Sequence, residues 1–93
     1  MKELRWNPEK NLELREARSI TFEQLINSKF IGVEDHTRKA HQKLMLFEFN
    51  KYVWVVPYID EKGYFFLKTA FPSRKHTKKY LGGKLNEKNK IEF

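Results

Sequence analysis

Tyr64 to Leu81, YFFLKTAFPSRKHTKKYL, is the stretch whose reading decides the fold. It joins an apolar strand, opened by Gly63 and closed by Pro72, to a basic helix over Arg74 to Leu81. Ser73 has the chemistry of an N-cap and Gly82-Gly83 that of a helix stop. One short unit thus delivers Arg74, Lys75, Lys78 and Lys79 to one end of a sheet. Lys68 falls mid-strand, where a lysine is costly unless its ammonium reaches water or an anion. The functional surface is expected here.

Immediately before it, Asp60-Glu61-Lys62-Gly63 reads as a turn with Gly63 at positive φ, and Asn50-Lys51 as a second turn. The strands they connect, Leu44 to Asn50 and Tyr52 to Ile59, must be antiparallel neighbours because the links are so short. Both are apolar on both alternating sets: Met45, Phe47 and Phe49 against Leu44 and Leu46, and Val53 and Val55 against Tyr52, Trp54 and Val56. A sheet covered on both faces is implied. Either the terminal helix covers the second face, or Trp54, Tyr58 and Tyr64 present their rings there to a ligand such as unpaired RNA bases. Ordinary packing is the simpler reading.

Further toward the N-terminus, Asp35 to Lys43, DHTRKAHQK, is a loop rich in cationic and titratable groups, and Phe30 to Glu34 is a strand. Thr21 and Gln24 have capping-box spacing and Ile20 and Leu25 that of a hydrophobic staple, so a short helix carries Phe22, Leu25 and Ile26 as one apolar stripe. Asn7-Pro8 opens an earlier, mostly polar helix reaching about Arg18, and Glu3 to Trp6 is a short strand. The expectation is an α+β domain over residues 1–83, with two N-terminal helices on a twisted antiparallel sheet of four to five strands. A short C-terminal basic helix completes it, and residues 84–93 form a loosely held tail.

Ninety-three residues with 40 % hydrophobic content suit one small domain with a single core. The net charge of +7 favours polyanions, since each neutralised phosphate releases counterions. With no cysteine, disulfides and thiolate metal sites are excluded. No apolar run spans a bilayer and the N-terminus lacks a signal-peptide core, so a soluble, cytoplasmic protein without a membrane partner is expected. His36, His41 and His76 have no carboxylate at ligand spacing, which leaves no metal site, and no glycine-rich phosphate loop or nucleophile motif is present. Without a cofactor, the chemistry open to these residues is metal-independent attack on RNA. It needs a base for a 2′-hydroxyl, an acid for the leaving oxygen, and fixed cations for the phosphorane charge.

Four segments resemble one family. Trp6-Asn7-Pro8-Glu9-Lys10-Asn11, Arg18-Ser19-Ile20-Thr21-Phe22-Glu23, Tyr52-Val53-Trp54-Val55-Val56-Pro57-Tyr58 and Phe66-Leu67-Lys68-Thr69-Ala70-Phe71-Pro72-Ser73-Arg74-Lys75 look like the BrnT-type toxins of bacterial toxin-antitoxin modules. The LKT-x-x-PSRK run is the most specific of them. The resemblance implies a RelE-like fold and a ribonuclease that arrests translation. It also implies a small antitoxin partner, encoded alongside, whose DNA-binding end brings the pair to its own promoter DNA. Ser19 stands where such sequences commonly have glycine, His41 where they often have asparagine, and His76 where they often have alanine. His36, Lys68, Arg74, Lys75 and Tyr80 match the pattern better.

The resulting assignment has Lys68 and Arg74 holding the scissile phosphate and His36 or Tyr80 moving protons. Lys75, Lys78, Lys79 and Arg38 bind the RNA backbone. The alternative is a non-catalytic nucleic-acid-binding module, or a basic protein that docks an acidic partner.

Overall fold

The computed structural model describes residues 2–82. Its elements in chain order are β1 (Glu3–Trp6), α1 (Pro8–Arg18), α2 (Phe22–Ile26), β2 (Lys29–Asp35), β3 (Lys43–Phe49), β4 (Tyr52–Glu61), β5 (Tyr64–Leu67) and β6 (Phe71–Pro72). A third helix, α3, occupies 74–82. The fold is α+β, as expected.

The helix starts follow local chemistry. The Asn7 side chain accepts the Glu9 N–H at 2.8 Å with Pro8 in the first turn, and Thr21 and Gln24 complete the capping box. Asn11 then joins the two helices. Its Oδ1 accepts the Phe22 N–H at 2.8 Å and its Nδ2 donates to Glu23 at 2.7 Å. Ser19, between them, sits at φ 56° in the left-handed region, the conformation in which glycine carries no Cβ penalty.

The sheet runs β1-β5-β4-β3-β2, and β6 pairs with β4 farther along the edge that β5 also uses. It is mixed rather than wholly antiparallel, because β1 pairs in parallel with β5. The short links do force β3, β4 and β5 antiparallel, but β1 is separated from β5 by most of the chain and has the long connection that a parallel pairing needs. Asn50 and Lys51 both have positive φ at the β3–β4 turn, and Gly63 has φ 84° at the β4–β5 turn.

The expected single strand ahead of Pro72 is broken. Pairing lapses at residues 68–70, between β5 and β6. Lys68 N–H still donates to the Pro57 carbonyl at 2.8 Å. In an extended strand a residue's N and O point to the same side, so Pro57 presents its missing N–H to this same edge and cannot complete the ladder. Lys68 therefore lies in the break and not in mid-strand.

Two cores flank the sheet. On the first face, Phe22, Leu25, Leu14 and Ile20 pack on Met45, Phe47, Val56, Tyr58 and Leu67, with Trp6, Trp54 and Phe65 beside them. On the second, Leu44, Leu46, Val53 and Val55 pack with Leu81 of α3, and Ile31 joins them. The terminal helix is thus the cover for that face, and Trp54 and Tyr58 belong to the first. Residue 82 is still helical; Gly83 and the 84–93 tail lie outside the described residues.

Thr77, 3 % exposed, anchors α3: its Oγ1 accepts the Val53 N–H at 2.9 Å and donates to the Ser73 carbonyl at 2.7 Å. Thr77→Val keeps the shape but orphans that backbone donor. Urea unfolding should show a loss of about 1–3 kcal/mol; an unchanged midpoint would mean α3 is held by other contacts.

Candidate nucleic-acid interface

With Thr77 and Leu81 turned to the sheet, the 3.6-residue period sends Arg74, Lys75, Lys78 and Lys79 outward. These four line one open depression of about 600 Å³. Arg74 and Lys78, and Lys75 and Lys79, are i,i+4 pairs of like charge, an arrangement that by itself disfavours a helix.

A carboxylate from β2 offsets this. Glu34 Oε2 accepts from Lys79 Nζ at 2.8 Å and from the Tyr80 hydroxyl, and Oε1 lies 3.1 Å from His76 Nε2. On the other side of that ring, Nδ1 is 2.6 Å from Ser73 Oγ, which also accepts the His76 N–H at 3.1 Å as the cap of α3. Ser73 therefore donates to Nδ1, and the proton of the neutral ring sits on Nε2 facing Glu34. The hydrogen bonds from Lys79, then Tyr80, then His76 hold the Glu34 carboxyl down to about 2. The same carboxylate raises both Lys79 and Tyr80. Glu34 is a fixed anion at neutral pH, and Tyr80 is a phenol that keeps its proton.

The structure gathers only some of the residues singled out by sequence. Arg74, Lys75, Lys78, Lys79 and Tyr80 share α3, though Lys79 and Tyr80 are already engaged by Glu34. His36 follows β2, and its Nδ1 accepts the N–H groups of Arg38 (3.1 Å) and Lys39 (3.2 Å). That fixes the neutral tautomer as Nε2–H, so His36 is a hydrogen-bond donor and the organiser of the loop that carries Arg38. Lys68 packs its ammonium 5.4 Å from the Phe66 ring centroid and, among the described residues, has no carboxylate partner. Cross-strand register runs Lys68, Pro57, Leu44, Glu34. Three strand spacings, about 14 Å, therefore separate Lys68 from Glu34.

Sequence reading missed Glu34 and treated Ser73 only as a cap. Glu34 ended a strand candidate, and nothing local marks a partner 42 residues away. His76, set aside on family grounds, is the ring that links them.

Among the described residues no helix is long and apolar enough to cross a membrane. Comparisons with family models, with curated proteins and with solved structures return no match.

An unfolded glutamate titrates near 4.5 and Glu34 in the folded protein near 2. A depressed pKa gives stability that is fully present above about pH 4.5 and is lost as pH falls toward 2. The plot of melting temperature against pH should therefore be flatter for Glu34→Gln than for wild type in that window. Parallel curves would show that the carboxylate is not clasped in solution.

Proposed function

We propose that this protein binds RNA along the outer face of α3 and cleaves it without a metal ion, acting as the toxin of a toxin-antitoxin pair. The observation that carries the reading is the placement of four exposed cations on the helix that also holds the Ser73–His76–Glu34 hydrogen-bonded chain. The toxin role rests in addition on the resemblance of the LKT-x-x-PSRK run to BrnT-type sequences.

In this reading Arg74, Lys75 and Lys78 contact the RNA backbone, and Lys68 takes a neighbouring phosphate. Lys68 and Ser73 bond to Pro57 and Val53, four residues apart on β4. The separation is about 13 Å, which suits successive phosphates better than a shared one. Ser73 Oγ takes the proton of a 2′-hydroxyl while passing its own to His76 Nδ1, and Glu34 stabilises the imidazolium that forms. The 2′-oxygen attacks phosphorus and the bond to the 5′-oxygen breaks, leaving a 2′,3′-cyclic phosphate. Bound RNA displaces the Tyr80–Glu34 hydrogen bond, and the freed Tyr80 hydroxyl protonates the departing 5′-oxygen.

One observation favours a second reading, RNA binding without cleavage. Ser73, His76 and Tyr80 satisfy one another through Glu34, so no free base stands open. A neutralising antitoxin and, through it, promoter DNA belong to the first reading only.

Incubation with single-stranded RNA in a chelator distinguishes them. Wild type should give cyclic-phosphate ends, and His76→Ala should be slower by about 10²–10⁴. Lys68→Met should keep the melting temperature and lower RNA affinity. Intact RNA with the wild-type protein, together with normal growth of cells expressing it, overturns the catalytic reading.

A further inference from the structure

A second concavity, about 430 Å³, lies on the other side of the Pro72–Ser73 link. The C-terminal end of α1 (Arg18, Ser19, Ile20), the β3–β4 hairpin end (Phe49, Asn50, Tyr52), Trp54 and Pro72 form its walls. Phe49 pairs with Tyr52 across the hairpin, and Trp54 lies two residues on from Tyr52 on the same face. All three rings are half-buried, so each keeps exposed surface although the strands carrying them run through the core. The polar residues on the wall are Arg18, Ser19 and Asn50, beside the Tyr52 hydroxyl and the Trp54 indole N–H that two of the aromatic side chains carry. Among the described residues Arg18 has no carboxylate partner.

A mostly apolar hollow of this size with a few convergent polar groups has the character of a small-ligand site. Aromatic walls suit a flat ring, an amide can read the edge of a base, and an unpaired guanidinium suits a phosphate. The hollow lies on the first face of the sheet and α3 covers the second, and the two approach each other at the β6 edge. Pro72 lines it and Arg74 lines the depression on α3, and the two residues are at most about 7.6 Å apart along the chain.

We infer that this hollow is a nucleotide-binding subsite: one unpaired base enters against Tyr52 and Trp54, Arg18 takes the adjoining phosphate, and the strand continues over Pro72 to Arg74. The inference rests on the RNA-binding reading above and adds to it a source of base preference, because backbone contacts along α3 carry none.

The chain has two tryptophans, Trp6 and Trp54. Trp6 stacks at 5.4 Å on Phe22 in the first core, so a Trp6→Phe background leaves Trp54 as the only indole reporter while keeping an aromatic ring there. The four common nucleoside 5′-monophosphates and inorganic phosphate are titrated separately into this full-length protein, with and without Arg18→Ala, and RNA binding is measured on the same samples. At least one nucleotide should quench Trp54 saturably, inorganic phosphate should not, and Arg18→Ala should weaken the response about tenfold at an unchanged melting temperature. Tyr52→Leu, which retains an apolar side chain, should also weaken it.

Quenching by inorganic phosphate alone would mean an anion site without base recognition and would overturn the inference. Absence of any nucleotide response while RNA still binds overturns the subsite and leaves the α3 reading standing. Nucleotide quenching without RNA binding does the reverse. A response indifferent to both Arg18→Ala and Tyr52→Leu places the ligand elsewhere and also overturns it.

Discussion

The Glu34 carboxylate is the constraint on which the second face depends. It lies on β2, a strand at the edge of the sheet, and gathers Lys79, His76 and Tyr80 from a helix that otherwise repels itself. Remove the anion, and α3 keeps Thr77 and Leu81 as its anchors but carries Lys75 and Lys79 a turn apart with nothing between them. Each hydrogen bond to the partly buried carboxylate is charge-assisted, while the Lys79 and Tyr80 donors stay exposed to solvent. It also sets the state of its members: an ionised carboxylate, a phenol that holds its proton, and an imidazole with a defined tautomer.

A proline determines where that helix begins. Pro57 turns the side lacking an N–H toward the β5–β6 edge, and the ladder lapses at residues 68–70. The lapse exposes Lys68 and lets the chain rejoin β4 at Phe71-Pro72. From there Ser73 donates to the Val53 carbonyl and starts α3 across Leu44, Leu46, Val53 and Val55. Aromatic hollow, cap and basic helix follow one another within a few residues for this reason.

Much of the fold is legible because its signals are local. The Thr21–Gln24 capping box, the Asn7-Pro8 start, Gly63 at its turn and the double-sided apolar alternation of β3 and β4 need only neighbours to be read. The parallel β1–β5 pairing is not legible, since two short strands at opposite ends of the chain carry no mark of register. The broken strand could have been suspected from Pro57, had its partner edge been known. At the site, the basic helix is visible as composition and spacing, but the carboxylate that organises it comes from a distant strand. His36 illustrates the limit of chemistry read without geometry: its residue type suggests a proton carrier, and its contacts make it a loop organiser.

The account turns on RNA following the outer face of α3, and amide shift perturbation by a single-stranded RNA of about eight nucleotides, a length within the usual range of single-strand sites, tests that most directly. The expected map has its largest changes at 74–79, with a second group at Arg18, Ser19 and Asn50, and little at β2 beyond Glu34. Changes concentrated instead on the exposed edge around Phe30 and Val33, with 74–79 unmoved, would contradict it.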